Sequence, residues 1–127
     1  MKEIKLKINF KDKRGVIVDL LEKEKINAIT YLTINKNKVR GNHFHKKTYQ
    51  WNYVLSGKMK LISRINKKIK YKILKKGDLY LTSPLEEHAL VGHTKCEVLV
   101  FTKGPRGGKE YETDTFRIKD DLSKLVK

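Results

Sequence analysis

Only one cysteine, Cys96, occurs in the 127 residues, so no internal disulfide can form and an oxidising compartment gains no support. Long apolar runs are missing too, with nothing near the ~18 consecutive apolar residues that a membrane helix needs. The N-terminal "MKEIKLKINF" alternates charged and apolar residues where an ordinary signal peptide has an unbroken apolar segment. There is no internal repeat, low-complexity linker or shift of composition that would mark a domain boundary. These absences predict one soluble, cytoplasmic domain over residues 1–127. A chain of this length buries about two-thirds of its unfolded surface, enough for a core of its own.

Acidic residues are scarce as well: 14 Asp and Glu stand against 30 Lys and Arg, a formal charge of +16. Such a field attracts polyanions. The lysines are nevertheless scattered along the whole chain, which reads as a solvated surface instead of a nucleic-acid footprint. The aromatics follow strand alternation and do not form a stacking platform between basic residues, which also disfavours nucleic acid. A smaller anion such as a nucleotide diphosphate would be drawn by the same field.

The chain is 39% hydrophobic and 35% charged, so its apolar residues must be gathered on particular faces. Period-two alternation does this in Ile4, Leu6, Ile8 and Phe10, and again in Ile69, Tyr71 and Ile73, each set predicted to be the buried face of a strand. Further strands are expected in "GVIVDLL", "AITYLTI", "YQWNYVLS", "KMKLISRI", "DLYLTS", "HALVG" and "CEVLVFT", all short and rich in β-branched or aromatic residues. Turn chemistry separates them at Asn35 to Lys38, Ser56-Gly57, Asn66-Lys67, Lys76 to Asp78 and "KGPRGG" (Lys103 to Gly108). That last stretch matches no phosphate-loop spacing and reads as an exposed turn. Only "KDDLSKLVK" shows helical spacing. The fold class is therefore all-β, an antiparallel sandwich or barrel with a short C-terminal helix or tail.

Chemistry concentrates in "RGNHFHKKTYQ". In a strand, residues two apart face one way, so His43 and His45 project together while Phe44 points opposite. Two neighbouring imidazoles in one sheltered volume are costly unless something uses them. His93 stands alone and reads as an ordinary surface or core histidine. In Trp51, Tyr53 and Leu55 against Gln50, Asn52 and Val54, one set is expected to pack against the core or a partner subunit.

The spacing His-x-His, four residues, Gln50, six residues, Gly57, then Gly77, Pro84 and His88 resembles the two motifs of the cupin family, which implies a small jelly-roll β-barrel with the histidines at its mouth. Cupins usually carry Glu where this chain has Gln50. An amide offers a divalent cation only an oxygen dipole, so His43, His45, Gln50 and His88 would make a weakened site for a divalent transition metal such as Fe, Mn, Ni or Zn.

Within that superfamily, "DKRG" (Asp12 to Gly15), "RGNHFHKK" (Arg40 to Lys47), Gln50, "LY" before "PLEEH", and "YETDTFRI" (Tyr111 to Ile118) resemble the nucleotide-sugar 3,4-ketoisomerases, which act on thymidine-diphosphate-linked 4-keto-6-deoxyhexoses. In that family Gln stands after the second histidine and no cofactor is needed. The resemblance implies His43 as base and His45 as its partner in proton transfer, with Arg40, Tyr31, Arg14, Gln50 and His88 contacting substrate. It shares its barrel with the 3,5-epimerases, which are longer. The alternatives are a metal-binding cupin of dioxygenase or other small-molecule type, and a non-catalytic sugar-binding module. Small barrels of this kind pair through edge strands, and the N-terminal segment suits such pairing, so a homodimer is expected.

Overall fold

The computed structural model describes residues 1–106 and 109–126. Gly107 and Gly108, which end the "KGPRGG" stretch, and the terminal Lys127 lie outside the described residues. The strands are β1 (Lys2–Glu3), β2 (Phe10–Asp12), β3 (Gly15–Ile17), β4 (Ala28–Ile34), β5 (Val39–Phe44), β6 (Tyr49–Ser56), β7 (Lys58–Ile65), β8 (Lys68–Lys75), β9 (Leu79–Thr82), β10 (Glu87–Gly92), β11 (Cys96–Lys103) and β12 (Phe116–Arg117). A 3₁₀ turn at Glu110–Asp114 and a short helix α1 (Leu122–Leu125) complete the chain.

Two five-stranded antiparallel sheets carry the fold, ordered β1-β9-β6-β11-β4 and β12-β5-β10-β7-β8, with β2 and β3 forming a separate hairpin. From β4 onward the chain crosses between sheets at almost every connection, which is jelly-roll topology; only β7 and β8 are joined as a hairpin within one sheet. Alternate residues of both sheets meet in the middle: Ile34, Val54, Met59, Leu61, Leu74, Leu90 and Val98 form one apolar cluster. Leu61 is wholly buried, and truncating such a residue to alanine costs about 2–5 kcal/mol. Its neighbour Ile62 points the other way, where with Ala89 it is covered by Leu122 of α1. Asp121 starts that helix by accepting from the Ser123 backbone N–H at 2.9 Å.

The expected turns at Asn35 to Lys38, Ser56-Gly57, Asn66-Lys67 and Lys76 to Asp78 are present, and the Asn66-Lys67 hairpin holds both residues at positive φ, 50° and 68°, the geometry that matches strand twist in a two-residue loop. Three strand expectations need correction. The alternation from Ile4 to Phe10 does not form one strand: the ladder with β9 ends at Glu3, Ile4 adds one N–H bond to the Leu79 carbonyl, and Asn9 and Phe10 turn instead to β3, with the Asn9 N–H bonding the Ile17 carbonyl and Phe10 opposite Ile17, while Ile8 and Phe10 are exposed. In β8 the apolar set Ile69, Tyr71 and Ile73 lies on the exposed side, whereas Leu74 is buried. The register decides this: Leu74 opposes Met59, a core residue, so the residues of opposite parity must face outward. β3 is also shorter than "GVIVDLL" suggested.

Candidate active site

The site is built where β5 and β10 meet. His43 lies opposite His88 across the ladder, and Arg117 of β12 lies opposite His43 on the other side. Next to this pair the register slips: Ala89 opposes Gly41, leaving Asn42 as the extra residue of a β-bulge. In an unbroken strand Arg40 and His43, three apart, would face opposite sides. The bulge turns both toward the cleft. Gly41 and Asn42 adopt φ of +82° and +61°, and a Cβ on Gly41 would come 3.2 Å from the His88 carbonyl oxygen. The Asn42 side chain fastens the bulge to the C-terminal segment, donating to the Asp120 carbonyl at 3.0 Å and accepting from the Leu122 N–H at 2.9 Å.

Three imidazoles result. Ring centroids of His43 stand 4.8 Å from those of both His45 and His88, and the last two are 5.3 Å apart. Nδ1 of His45 is 2.7 Å from the backbone carbonyl oxygen of Asp114, and Nδ1 of His88 is 3.0 Å from that of Glu86. A carbonyl only accepts, so each Nδ1 carries a proton and Nε2 is the nitrogen left for other partners. Nε2 of His45 lies 3.2 Å from Oε1 of the Gln50 side-chain amide. A neutral His45 accepts from the NH₂ of that amide and a charged His45 donates to its oxygen, so Gln50 serves both protonation states by a half-turn.

A cleft of about 160 Å³ opens onto these groups, walled by Arg40, His43, Gln50, Asn52, His88 and Arg106, with Leu32, Leu90 and Val100 as its apolar part. Among the described residues no carboxylate lines it. Burial, then the neighbouring His45, Arg117 and Arg106, push the His43 pKa down to about 4, so this ring is neutral at pH 7. Burial and the other two histidines hold His88 well below the ordinary histidine value. The ring nitrogens available for a metal all lie within 4.8 Å of one another. An ion with ~2.1 Å bonds to nitrogen spans at most ~4.2 Å between two of them, so the cluster would have to draw in slightly to hold one.

Of the residues singled out from sequence, the fold brings Arg40, His43, His45, Gln50 and His88 together. It does not bring Arg14 or Tyr31. Arg14 sits on the exposed β2–β3 hairpin, bonded through its guanidinium to Asp12. Tyr31 has the outward parity of β4 and donates its hydroxyl to Glu97. Conversely, Arg106, in the stretch read as an exposed turn, lines the cleft. Asn52, Asp114 and Arg117 were not singled out either; the last two sit inside "YETDTFRI", whose likeness to the family was the only available signal. His93 is exposed, the surface form of the two ordinary settings expected for it. Among the described residues no helix is long and apolar enough to cross a membrane.

Solved structures carry the same architecture. The 3,4-ketoisomerase QdtA of Thermoanaerobacterium thermosaccharolyticum, in complex with TDP-4-keto-6-deoxyglucose, is 28% identical with a TM-score of 0.76, covering 91% of this chain and 86% of that one. The TDP-quinovose 3,4-ketoisomerase WlaRB of Campylobacter jejuni superposes at a TM-score of 0.78 with 18% identity over 92% of each chain, and a 3,4-ketoisomerase of Helicobacter canadensis at 0.73 with 19% identity over 97% of this chain and 92% of that one. No curated protein matches the sequence. The expected likeness to cupin-type ketoisomerases is thus borne out at the level of fold. With a family model matched over residues 10–100, spanning every strand from β2 to most of β11, the chain belongs to the polysaccharide biosynthesis C-terminal domain family.

Proposed function

We propose that the protein is a sugar-nucleotide isomerase that moves the ketone of a thymidine-diphosphate-linked 4-keto-6-deoxyhexose from C4 to C3. The observation that carries this reading is a neutral imidazole, His43, set among two further imidazoles in a cleft that has arginines and no carboxylates. The likeness to QdtA, at 28% identity, supports the substrate class.

The reaction needs two proton movements. A base removes the C3 proton, the electron pair forms the C3–C4 double bond, and O4 takes the negative charge; O3 then loses its proton as the C3 carbonyl forms, while C4 and O4 each gain one. His43 is assigned the carbon proton and His45 the proton exchange between oxygens, through Nε2, the ring nitrogen beside Gln50. A placed general base contributes about 10²–10⁴ in rate. Arg40 and Arg106 are assigned to the substrate's diphosphate and to the developing oxyanion, where guanidinium charge in a partly dry cleft counts most. Gln50 and His88 contact the sugar.

A second reading, a metal-binding cupin, draws on the three-histidine cluster, with Gln50 as a fourth, neutral donor. The distinguishing experiment follows turnover of thymidine-diphosphate 4-keto-6-deoxyglucose by NMR with and without chelator, beside a series with added Fe, Mn, Ni and Zn. A 3-keto product that forms equally in chelator, and is lost in His43→Asn, is the expected result. Dependence on a metal would establish the second reading, and no turnover with any of several 4-keto-6-deoxyhexoses would remove the first. We further propose a homodimer; the apolar residues Ile29 and Tyr31, exposed on edge strand β4, support it.

A further inference from the structure

The structure assigns to Asp114 a role in positioning His45: one residue, 69 positions away in sequence, fixes both which ring nitrogen carries the proton and where the ring sits. The inference rests on the proposed reaction only for its catalytic consequence.

Two separate parts of Asp114 act. Its backbone carbonyl ends the 3₁₀ turn Glu110–Asp114, where the last carbonyls have no partner inside the helix, and it is spent on Nδ1 of His45 at 2.7 Å. Its side chain is 4% exposed and takes the turn that follows His45: one oxygen accepts the Lys46 N–H at 2.9 Å, the other the Lys47 N–H at 2.9 Å and the Thr48 hydroxyl at 2.6 Å. Three donors converge on a buried carboxylate, which pins residues 46 to 48 to the C-terminal segment. His45 is thereby held from both sides, by the carbonyl that receives its proton and by the chain that leaves it. The remaining ring nitrogen, Nε2, lies 3.2 Å from Oε1 of Gln50, and in the neutral ring it is the one that carries the lone pair. Without the carbonyl the ring would be free to place its proton on Nε2, leaving no acceptor at that nitrogen; loss of tautomer control of this kind is what disables a histidine base when its orienting group is changed.

The backbone carbonyl cannot be replaced, so the side chain is the handle. Asp114→Asn turns one acceptor oxygen into an NH₂ facing an N–H or hydroxyl donor, and Thr48→Val removes a single bond with little change of shape. The ring state is read by long-range ¹H–¹⁵N correlation on histidine-labelled protein without substrate, with the His45 signals identified by their loss in His45→Asn. The wild type should show His45 protonated at Nδ1. Asp114→Asn should show a mixture of tautomers, with kcat down by at least about tenfold and KM within about threefold, and Thr48→Val should fall between the two. A wild-type His45 protonated at Nε2 and not at Nδ1 overturns the inference, as does a variant whose kcat falls while Nδ1 stays fully protonated. Should Asp114→Asn fail to fold, the wild-type spectrum and Thr48→Val decide. Because the tautomer is measured without turnover, an inactive wild type would defeat the proposed reaction and leave this assignment standing.

Discussion

His43 shows how a residue type becomes a chemical function only through its surroundings. A free imidazole is partly charged near neutrality, and burial beside two imidazoles, with Arg117 and Arg106 near, removes that charge and leaves the lone pair a base requires. Stability must follow. The folded pKa is about 4 against an ordinary 6.5, so between these values the unfolded chain binds more protons than the folded one and stability decreases as pH falls. His88, depressed by the same causes, acts in the same direction. The expected outcome is a melting temperature that is level near pH 7–8 and declines from about pH 6.5 toward pH 4, with a shallower decline in His43→Asn. Parallel profiles for the two proteins would show that His43 does not titrate in that window. Gln50 illustrates the same point from the other direction: an amide can face a neutral or a charged His45 by turning over, whereas a carboxylate would favour the charged ring.

Elements were legible in sequence where a strand packs one face against the core. The bounds of β4, β6 and β7 coincide with "AITYLTI", "YQWNYVLS" and "KMKLISRI", since each packs a continuous apolar face against the core. The same alternation misled at the edges. Ile69, Tyr71 and Ile73 have the pattern of a buried face, yet β8 borders only β7 and its register points them to solvent; periodicity reports that two faces differ and not which one is covered. The bulge in β5 was likewise unreadable, because it is fixed by what Asn42 bonds in the C-terminal segment and by how closely Gly41 meets β10. Gly41→Ala should therefore cost about 1–3 kcal/mol in chemical denaturation and also depress turnover, as the β5 bulge that aims His43 is displaced. Gly77→Ala provides the control: it has a positive φ of 92° but open space around it, so it should lose stability by a similar amount and retain its rate. Equal rates in the two variants would show that the bulge does not aim the site.

At the scale of the whole molecule, the proposed homodimer would cover an apolar edge. Ile29 and Tyr31 are 64% and 55% exposed on β4, which among the described residues pairs with β11 alone. Exposed edges of this kind are usually paired or covered. Light scattering should give about twice the 14.9 kDa chain mass, and Ile29→Lys with Tyr31→Lys should halve it while leaving the fold intact. A wild-type protein of single-chain mass would refute the pairing. The charge of +16 belongs to this scale as well: it surrounds a cleft without carboxylates, and so favours anionic ligands at long range before any specific contact is made.

By itself the sequence determined an all-β chain, the pairing of His43 with His45 and their association with Gln50 and His88, because strand alternation and motif spacing act over a few residues and are written locally. Tertiary structure alone decided the rest. It placed Arg106 in the cleft, sent Tyr31 and Arg14 away from it, aimed Arg40 through a bulge and set Asp114 behind His45, since each of these depends on which distant segment becomes a strand's neighbour. Such neighbours are chosen by the sum of burial and hydrogen bonding over both sheets, and no single stretch of the chain contains that sum.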